Sequence, residues 1–253
     1  DGVEVRLNTE ATRVTTDGKE KVLELDADGD DDTIRADEIL VGIGRVPNVQ
    51  GLGLDAAGVE YGEKRGVHTD DYLRTSNNDI YAAGDVCLRH KFTHTADASA
   101  RIVIRNALFW GHEKFSSRTV PWCTYTDPEI GHVGLYEEQA EEEGYDVETF
   151  CQPLEEVDRA IADGEDEGFV KIHIKGGTDT ILGGTVVASH AGEMLSEITT
   201  AIVGGVGLGT LSDVIHPYPT QAEAIRQVAD RYNRTRLTPF RKKLLRWVLE
   251  RRR

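Results

Sequence analysis

The stretch Thr75-Ser-Asn-Asn-Asp-Ile-Tyr-Ala-Ala-Gly84-Asp85-Val86 holds the residue types best placed for chemistry. Residues 79–83 read as a short buried strand, Gly84 ends it, and a lone acid, Asp85, stands at its carboxyl end. In an open α/β sheet, ligands bind in the crevice beyond those ends. A glycine there lets backbone approach a ligand closely, and a carboxylate there accepts hydrogen bonds from sugar-like hydroxyls. Spacing alone leaves a second reading open: a strand, a turn glycine and a capping aspartate. A helix is predicted from about Thr93, with Ala96, Ala100, Val103, Ile104 and Ala107 at helical spacing. Its free N–H groups and positive dipole end begin just past Asp85 and suit an electron-rich ligand atom.

The cysteines, Cys87, Cys123 and Cys151, form no CxxC or similar spacing, so neither a zinc site nor a local redox disulfide is expected. Cys87 and Cys123 read as buried and inert. No GxGxxG follows a strand, so the phosphate-cradling half of a dinucleotide site is not expected in this chain.

The elements that must position these residues fall in two blocks. Residues 3–7, 11–16 and 21–26 alternate apolar and polar as half-buried strands do, with Asp17-Gly18 as a hairpin signal. Residues 29–32 read as an acidic turn. Residues 38–44 read as a buried strand ending in glycine, followed by an extended turn at Arg45-Val-Pro47-Asn48, and residues 67–73 as a further strand and turn. Composition shifts near 114–118. Beyond it, strands are predicted at 121–126, 147–152, 169–174 and 181–188, the last two as a hairpin across 176–179. Helices are predicted at 137–143, 193–203 and 221–231, the first with a solvated acidic face. Strands with helices packed on one side make an α+β domain.

The 253 residues carry a net charge of −16. So acidic a surface argues against nucleic acid as a partner and suits a salt-rich, halophilic cytoplasm. Three unpaired cysteines fit a reducing, cytoplasmic setting, and no apolar run is long enough to span a membrane. The start resembles no signal peptide, lacks a methionine and opens straight into a strand pattern, as a piece of something longer would. The tail differs. Residues 240–253 hold seven basic residues and one acidic residue, and Phe240, Leu244, Trp247 and Val248 share one helical face. Such a helix lies on an anionic membrane surface or packs on its own acidic domain; the sequence leaves both open.

Four motifs stand in one order. Gly44-Arg-Val-Pro-Asn48 resembles the GRxPN segment of the FAD-dependent pyridine nucleotide–disulfide oxidoreductases, the family of dihydrolipoamide dehydrogenase, glutathione reductase and mercuric reductase. Thr75 through Asp85 resembles their second FAD fingerprint. Thr124-Tyr-Thr-Asp-Pro-Glu-Ile-Gly-His-Val-Gly134 resembles the opening of their dimerisation domain, and His216-Pro-Tyr-Pro-Thr-Gln-Ala-Glu223 the segment that closes the active site. The chain is similar to roughly the carboxyl-terminal half of that family.

The resemblance implies an α/β plus α+β fold. Residues 1–48 would end an NAD(P)-binding domain, 49–118 would be the carboxyl-terminal part of an FAD-binding domain, 119–236 a dimerisation domain and 237–253 a basic amphipathic tail. It implies FAD and NAD(P)H as cofactors, a homodimer, and a small-molecule or metal-ion acceptor. Asp85, beside Gly84, would hold a ribityl hydroxyl. Phe92, Thr93 and His94 would turn backbone N–H groups toward the flavin, whose reduced N1–C2=O edge gains negative charge that a helix dipole stabilises. Gly44 would sit beside the nicotinamide ribose, and Arg45 is expected in a structural ion pair.

Dithiol-handling members have H-x-H-P-T-x-x-E in the closing segment, where the second histidine is the acid–base and the glutamate orients it. Here that histidine is Tyr218, with Glu223 retained. Tyrosine, with an intrinsic pKa near 10, is a poor proton shuttle but a good donor, and mercuric reductases are the similar members. The carboxyl-terminal vicinal cysteines usual in mercuric reductases are absent. The redox-active CxxxxC and first Gly-rich loop fall outside this chain, so it is not expected to turn over alone. His216 is expected to be structural, and Tyr218–Pro219 to be cis. Alternatives are a dihydrolipoamide dehydrogenase or other disulfide or quinone reductase, and, for these residues alone, a non-catalytic dimerisation module.

Overall fold

The computed structural model describes residues 2–251, without the side chains of residues 241, 244 and 245. Leu244 of the expected tail face, and residues 1, 252 and 253, thus lie outside the described set. The architecture is mixed α/β followed by α+β, as expected.

The first block opens with an antiparallel meander of β1 (Thr9–Asp17), β2 (Glu20–Ala27) and β3 (Asp30–Ala36). The acidic segment at 29–32 is not a turn throughout. Asp28 and Gly29, both at positive φ (55° and 94°), make the two-residue hairpin, and Asp30, Asp31 and Asp32 enter β3. Their carboxylates stay in water, and Asp32 pairs with Arg6 at 2.5 Å, so the ladder costs no charge burial.

Three other expected strands do not form. Residues 3–7 and 38–44 belong to no ladder, and their apolar side chains face solvent, with Leu40 97% and Ile43 93% exposed. A strand is made by its partner's hydrogen bonds, and these segments have none among the described residues. Residues 79–83 form a loop held by one bridge, Arg74 to Tyr81, with Thr75 N–H donating to Ile80 C=O at 3.0 Å and Ala82 N–H to Leu73 C=O at 3.1 Å. Of residues 67–73 only Val67 is in a strand: β4 (Tyr61–Gly62) pairs with β5 (Gly66–Val67). Asp70 then folds the turn by accepting the Tyr72 and Arg74 N–H groups, both at 2.9 Å.

Helix α1 (Thr93–Leu108) starts where its periodicity begins and buries Thr95, Ser99 and Ile102 on one face. The chain then returns across this block. Asp71 accepts from Ser116 N–H at 2.8 Å and Ser116 Oγ at 2.6 Å, and Asn106 Nδ2 donates to Glu113 C=O at 2.9 Å.

The second block is a five-stranded antiparallel sheet ordered β6-β7-β10-β9-β8. Its strands are β6 (Trp122–Thr124), β7 (Glu129–Gly134), β8 (Val147–Pro153), β9 (Phe169–Lys175) and β10 (Ile181–Ala188). Helix α2 (Glu137–Glu142) follows β7, and α3 (Asp158–Asp163) follows β8. One sheet face packs against α4 (Ala191–Gly204) and α6 (Glu223–Thr235), with the short α5 (Leu208–Leu211) between them in sequence. Alternation sends Val170, Ile172 and Ile174 of β9 to that face, where they meet Ile198 and Ile225. Each is fully buried, worth roughly 1.5–3 kcal/mol against exposure.

Helix α4 is helical because Met194, Leu195, Ile198 and Ala201 recur on one stripe. Gly205, at φ 65°, stops it: its N–H donates to Ile202 C=O, and Val206 N–H reaches back to Ala201 C=O at 2.8 Å. Tyr218–Pro219 is cis, as expected, and so is Asp127–Pro128. The tail forms α7 (Pro239–Arg251). Its Phe240 ring is exposed, its Trp247 ring is half exposed and Val248 is half-buried. Among the described residues no helix is long and apolar enough to cross a membrane.

Candidate functional site

Gly84 begins a single 3-10 turn, Gly84–Val86, at φ 74°. That conformation is costly for any residue with a side chain, and a Cβ there would stand 3.1 Å from the Ala96 Cβ. Helix α1 can therefore lie directly against the turn. Gly84 N–H donates to Ser99 Oγ at 2.9 Å, inside the protein, and Ser99 Oγ donates to Ala96 C=O at 2.9 Å. The turn thus presents Asp85 outward from a fixed base, its side chain half exposed. The structure also brings the Gly44-Arg45 corner here. Gly44 has φ 108°. Arg45 Nη1 lies 3.8 Å from Asp85 Oδ2 and also donates to Lys91 C=O, which gives the expected ion pair.

At the head of α1, Thr95 Oγ1 accepts the Phe92 N–H at 3.2 Å. Phe92 therefore keeps no free N–H for a ligand. The N–H groups of Thr93 and His94 belong to the first turn and have no intrahelical acceptor. The His94 ring is occupied elsewhere. It stacks on Phe92 at 5.1 Å, and its Nε2 lies 2.8 Å from Pro121 C=O, tying α1 to the strand-leading segment of the second block. Only the His94 backbone is left to face a ligand.

The closing segment forms a separate constellation. His216 Nε2 lies 3.0 and 3.1 Å from the two Glu197 oxygens, its Nδ1 lies 3.2 Å from Val214 C=O, and the side chain is almost wholly buried. These contacts fix the ring in place within the packing of the second block. Tyr218 is 70% exposed, and its hydroxyl donates to Asp158 Oδ2 at 2.9 Å. That bond, and the Asp158 charge, hold the phenol above the ordinary tyrosine range. Glu223 does not turn to Tyr218. It pairs with Arg226 at 2.5 Å, and Arg226 also binds Asp230. A cleft of about 430 Å³ opens beside the segment, lined by His190, Glu193, Met194, Glu197, Pro219 and Thr220 among others, with no residue from the Asp85 turn.

Glu197 and Asp158 are hydrogen-bond partners that the sequence did not single out. Asp158 and Tyr218 are 60 residues apart, and no local pattern links them. Cys87 and Cys123, expected to be buried, are half-buried, and so is Cys151. Burial pushes Cys87 up to about 11 and raises Cys123 and Cys151 as well. Among the described residues no three His, Cys, Asp or Glu side chains converge as a metal site.

A turn glycine and a half-exposed carboxylate thus stand against the head of α1, and a separate five-stranded antiparallel sheet follows. The chain belongs to the pyridine nucleotide-disulphide oxidoreductases. Residues 1–100 match that family's main domain, and residues 120–229 match its dimerisation domain. The family comprises FAD-containing, NAD(P)H-dependent enzymes.

A mercuric reductase of Staphylococcus aureus is 40% identical over 217 residues, which is 86% of this chain and 40% of that protein. A dihydrolipoyl dehydrogenase of Thermus scotoductus is 35% identical over 232 residues, 91% of this chain and 50% of that one. Among solved structures, LpdA of Mycobacterium tuberculosis superposes with a TM-score of 0.82 at 31% identity, covering 89% of this chain and 48% of its own. The chain therefore spans about half or less of the length of these relatives.

Proposed function

We propose that this chain is the carboxyl-terminal portion of a mercuric reductase-like, flavin-dependent NAD(P)H oxidoreductase. When bound, FAD supplies the electron relay between NAD(P)H and a cysteine pair that hands electrons to an acceptor. In this reading residues 1–48 close the NAD(P)-binding domain, 49–118 complete the FAD-binding domain and 119–236 form the dimerisation domain of a homodimer. Asp85 accepts a ribityl hydroxyl, and Gly84 keeps its turn tight against α1. The N–H groups of Thr93 and His94 serve the electron-rich edge of the ring, and Gly44 leaves room beside the nicotinamide ribose.

One observation carries the mercuric type over the dithiol type. The closing segment ends in a phenol held neutral by Asp158, while Glu223, the group that would orient a basic histidine, is paired with Arg226. With its O–H given to Asp158, the phenol keeps only oxygen lone pairs for an acceptor, which suits a thiolate-bound metal ion and not proton exchange with a dithiol. The dihydrolipoyl dehydrogenase relative keeps the disulfide-reductase reading as the competitor.

Two measurements on the full-length enzyme test this. Asp85→Ala lowers bound flavin per protomer while leaving the melting temperature of the flavin-stripped protein unchanged; full flavin content would make Asp85 a mere cap. Steady-state assays with Hg(II), lipoamide and quinones separate the acceptors. Fast lipoamide turnover without Hg(II) turnover would overturn the mercuric assignment.

A further inference from the structure

The reductase reading leaves the tail unexplained. Helix α7 begins at Pro239, whose missing N–H is harmless at a first helical position, and the Lys242 N–H closes the first turn onto Thr238 C=O at 2.9 Å. Along it Lys242, Lys243 and Arg246 are exposed, and so are Phe240 (75%), Trp247 (49%) and Leu249 (64%). The Arg251 guanidinium stands 3.9 Å over the Trp247 ring. Residues 240–253 sum to +6 within a chain of −16.

We propose that α7 is a surface anchor for an anionic lipid bilayer. Charge alone would serve any acidic partner, including this chain's own body or a second copy. The body is acidic and within reach, yet the helix leaves its two aromatic rings and Leu249 in water. Large apolar groups of this kind, set among Lys and Arg, match the boundary between headgroups and acyl chains, where rings settle at the interface and cations meet phosphate and carboxylate. The acidic remainder is repelled by the same surface, so contact is confined to α7 and the body is held off the bilayer.

Co-sedimentation of the 253-residue chain with phosphatidylcholine vesicles, with and without phosphatidylserine, tests this at low salt. The parent pellets with the phosphatidylserine vesicles and not with phosphatidylcholine alone, and binding fades as salt screens the charges. Each cation near such a surface is worth about fivefold in partitioning, so Lys242→Gln/Lys243→Gln/Arg246→Gln loses on the order of 100-fold. These side chains are exposed, and an unchanged circular dichroism spectrum shows that the variant is folded. In the parent the tryptophan emission shifts to the blue on vesicles, and in Trp247→Phe that shift is lost. The proposal is overturned if the triple variant binds as well as the parent or if uncharged vesicles bind equally. It is also overturned if the parent stays in the supernatant, the result expected of a tail that serves an acidic protein surface.

Discussion

The turn that presents Asp85 hangs on one buried hydrogen bond, and Ser99→Ala removes it. Gly84 N–H donates to Ser99 Oγ at 2.9 Å, and Ser99 has no solvent exposure. With alanine there, the Gly84 N–H loses its acceptor in a place water does not reach, which costs about 1–3 kcal/mol. Alanine is the better helix former by roughly 0.5 kcal/mol, so the net loss is about 0.5–2.5 kcal/mol. At ~2–4 °C per kcal/mol for a chain of this size, the melting temperature falls by roughly 1–10 °C. Differential scanning calorimetry measures this, with Thr200→Ala as the comparison. Thr200 also donates to a helix carbonyl, that of Ser196, but from an exposed site, so its loss stays within about 0.5 kcal/mol. In the full-length enzyme, Ser99→Ala lowers both flavin content and the stability of the flavin-stripped protein, whereas Asp85→Ala lowers flavin content alone. If Ser99→Ala melts with Thr200→Ala, the bond does not fix the turn and the reasoning fails.

Two further outcomes follow from the titratable groups. Burial holds His132 and His173 below the ordinary histidine range, with Thr185 and Thr149 as their hydroxyl partners. In the unfolded chain they take up protons near pH 6.5, before the folded protein does. Stability is therefore full above about pH 6.5 and falls as pH drops from there through the folded values; a pH series of melting temperatures should flatten in His173→Gln. Asp158→Asn removes both the charged acceptor and the nearby charge that raise the Tyr218 phenol, so tyrosinate forms at lower pH. Ultraviolet difference titration against Tyr218→Phe isolates that one ring, and an unmoved midpoint would show that Asp158 does not tune it.

Legibility followed the range of the contacts. The strands β8, β9 and β10 and the helices α1, α4 and α6 were readable because alternation or a 3.6-residue stripe declares them locally. Residues 38–44 have the apolar content of a buried strand but no neighbour to pair with, and content alone cannot supply a ladder. Strand β3 was hidden because Asp30, Asp31 and Asp32 look like turn residues, yet on an exposed face they extend freely. At the site, Asp85 and Arg45 come together beside Gly84 although the strand expected at 79–83 does not form. The partners Ser99, Glu197 and Asp158 did not show. Each reaches its target across 15, 19 and 60 residues respectively, and only the folded chain sets such distances.

The His94–Pro121 contact has a mechanical consequence. The segment before Pro121 is already clamped to the first block, by Asp71 on Ser116 and by Glu113 on Arg118. Little free chain remains between that clamp and β6, and the imidazole bond closes what is left. A carbonyl can only accept, so the ring meets it with an N–H. Moving the head of α1 away from the five-stranded sheet therefore means breaking that bond and straining the three residues between Arg118 and β6.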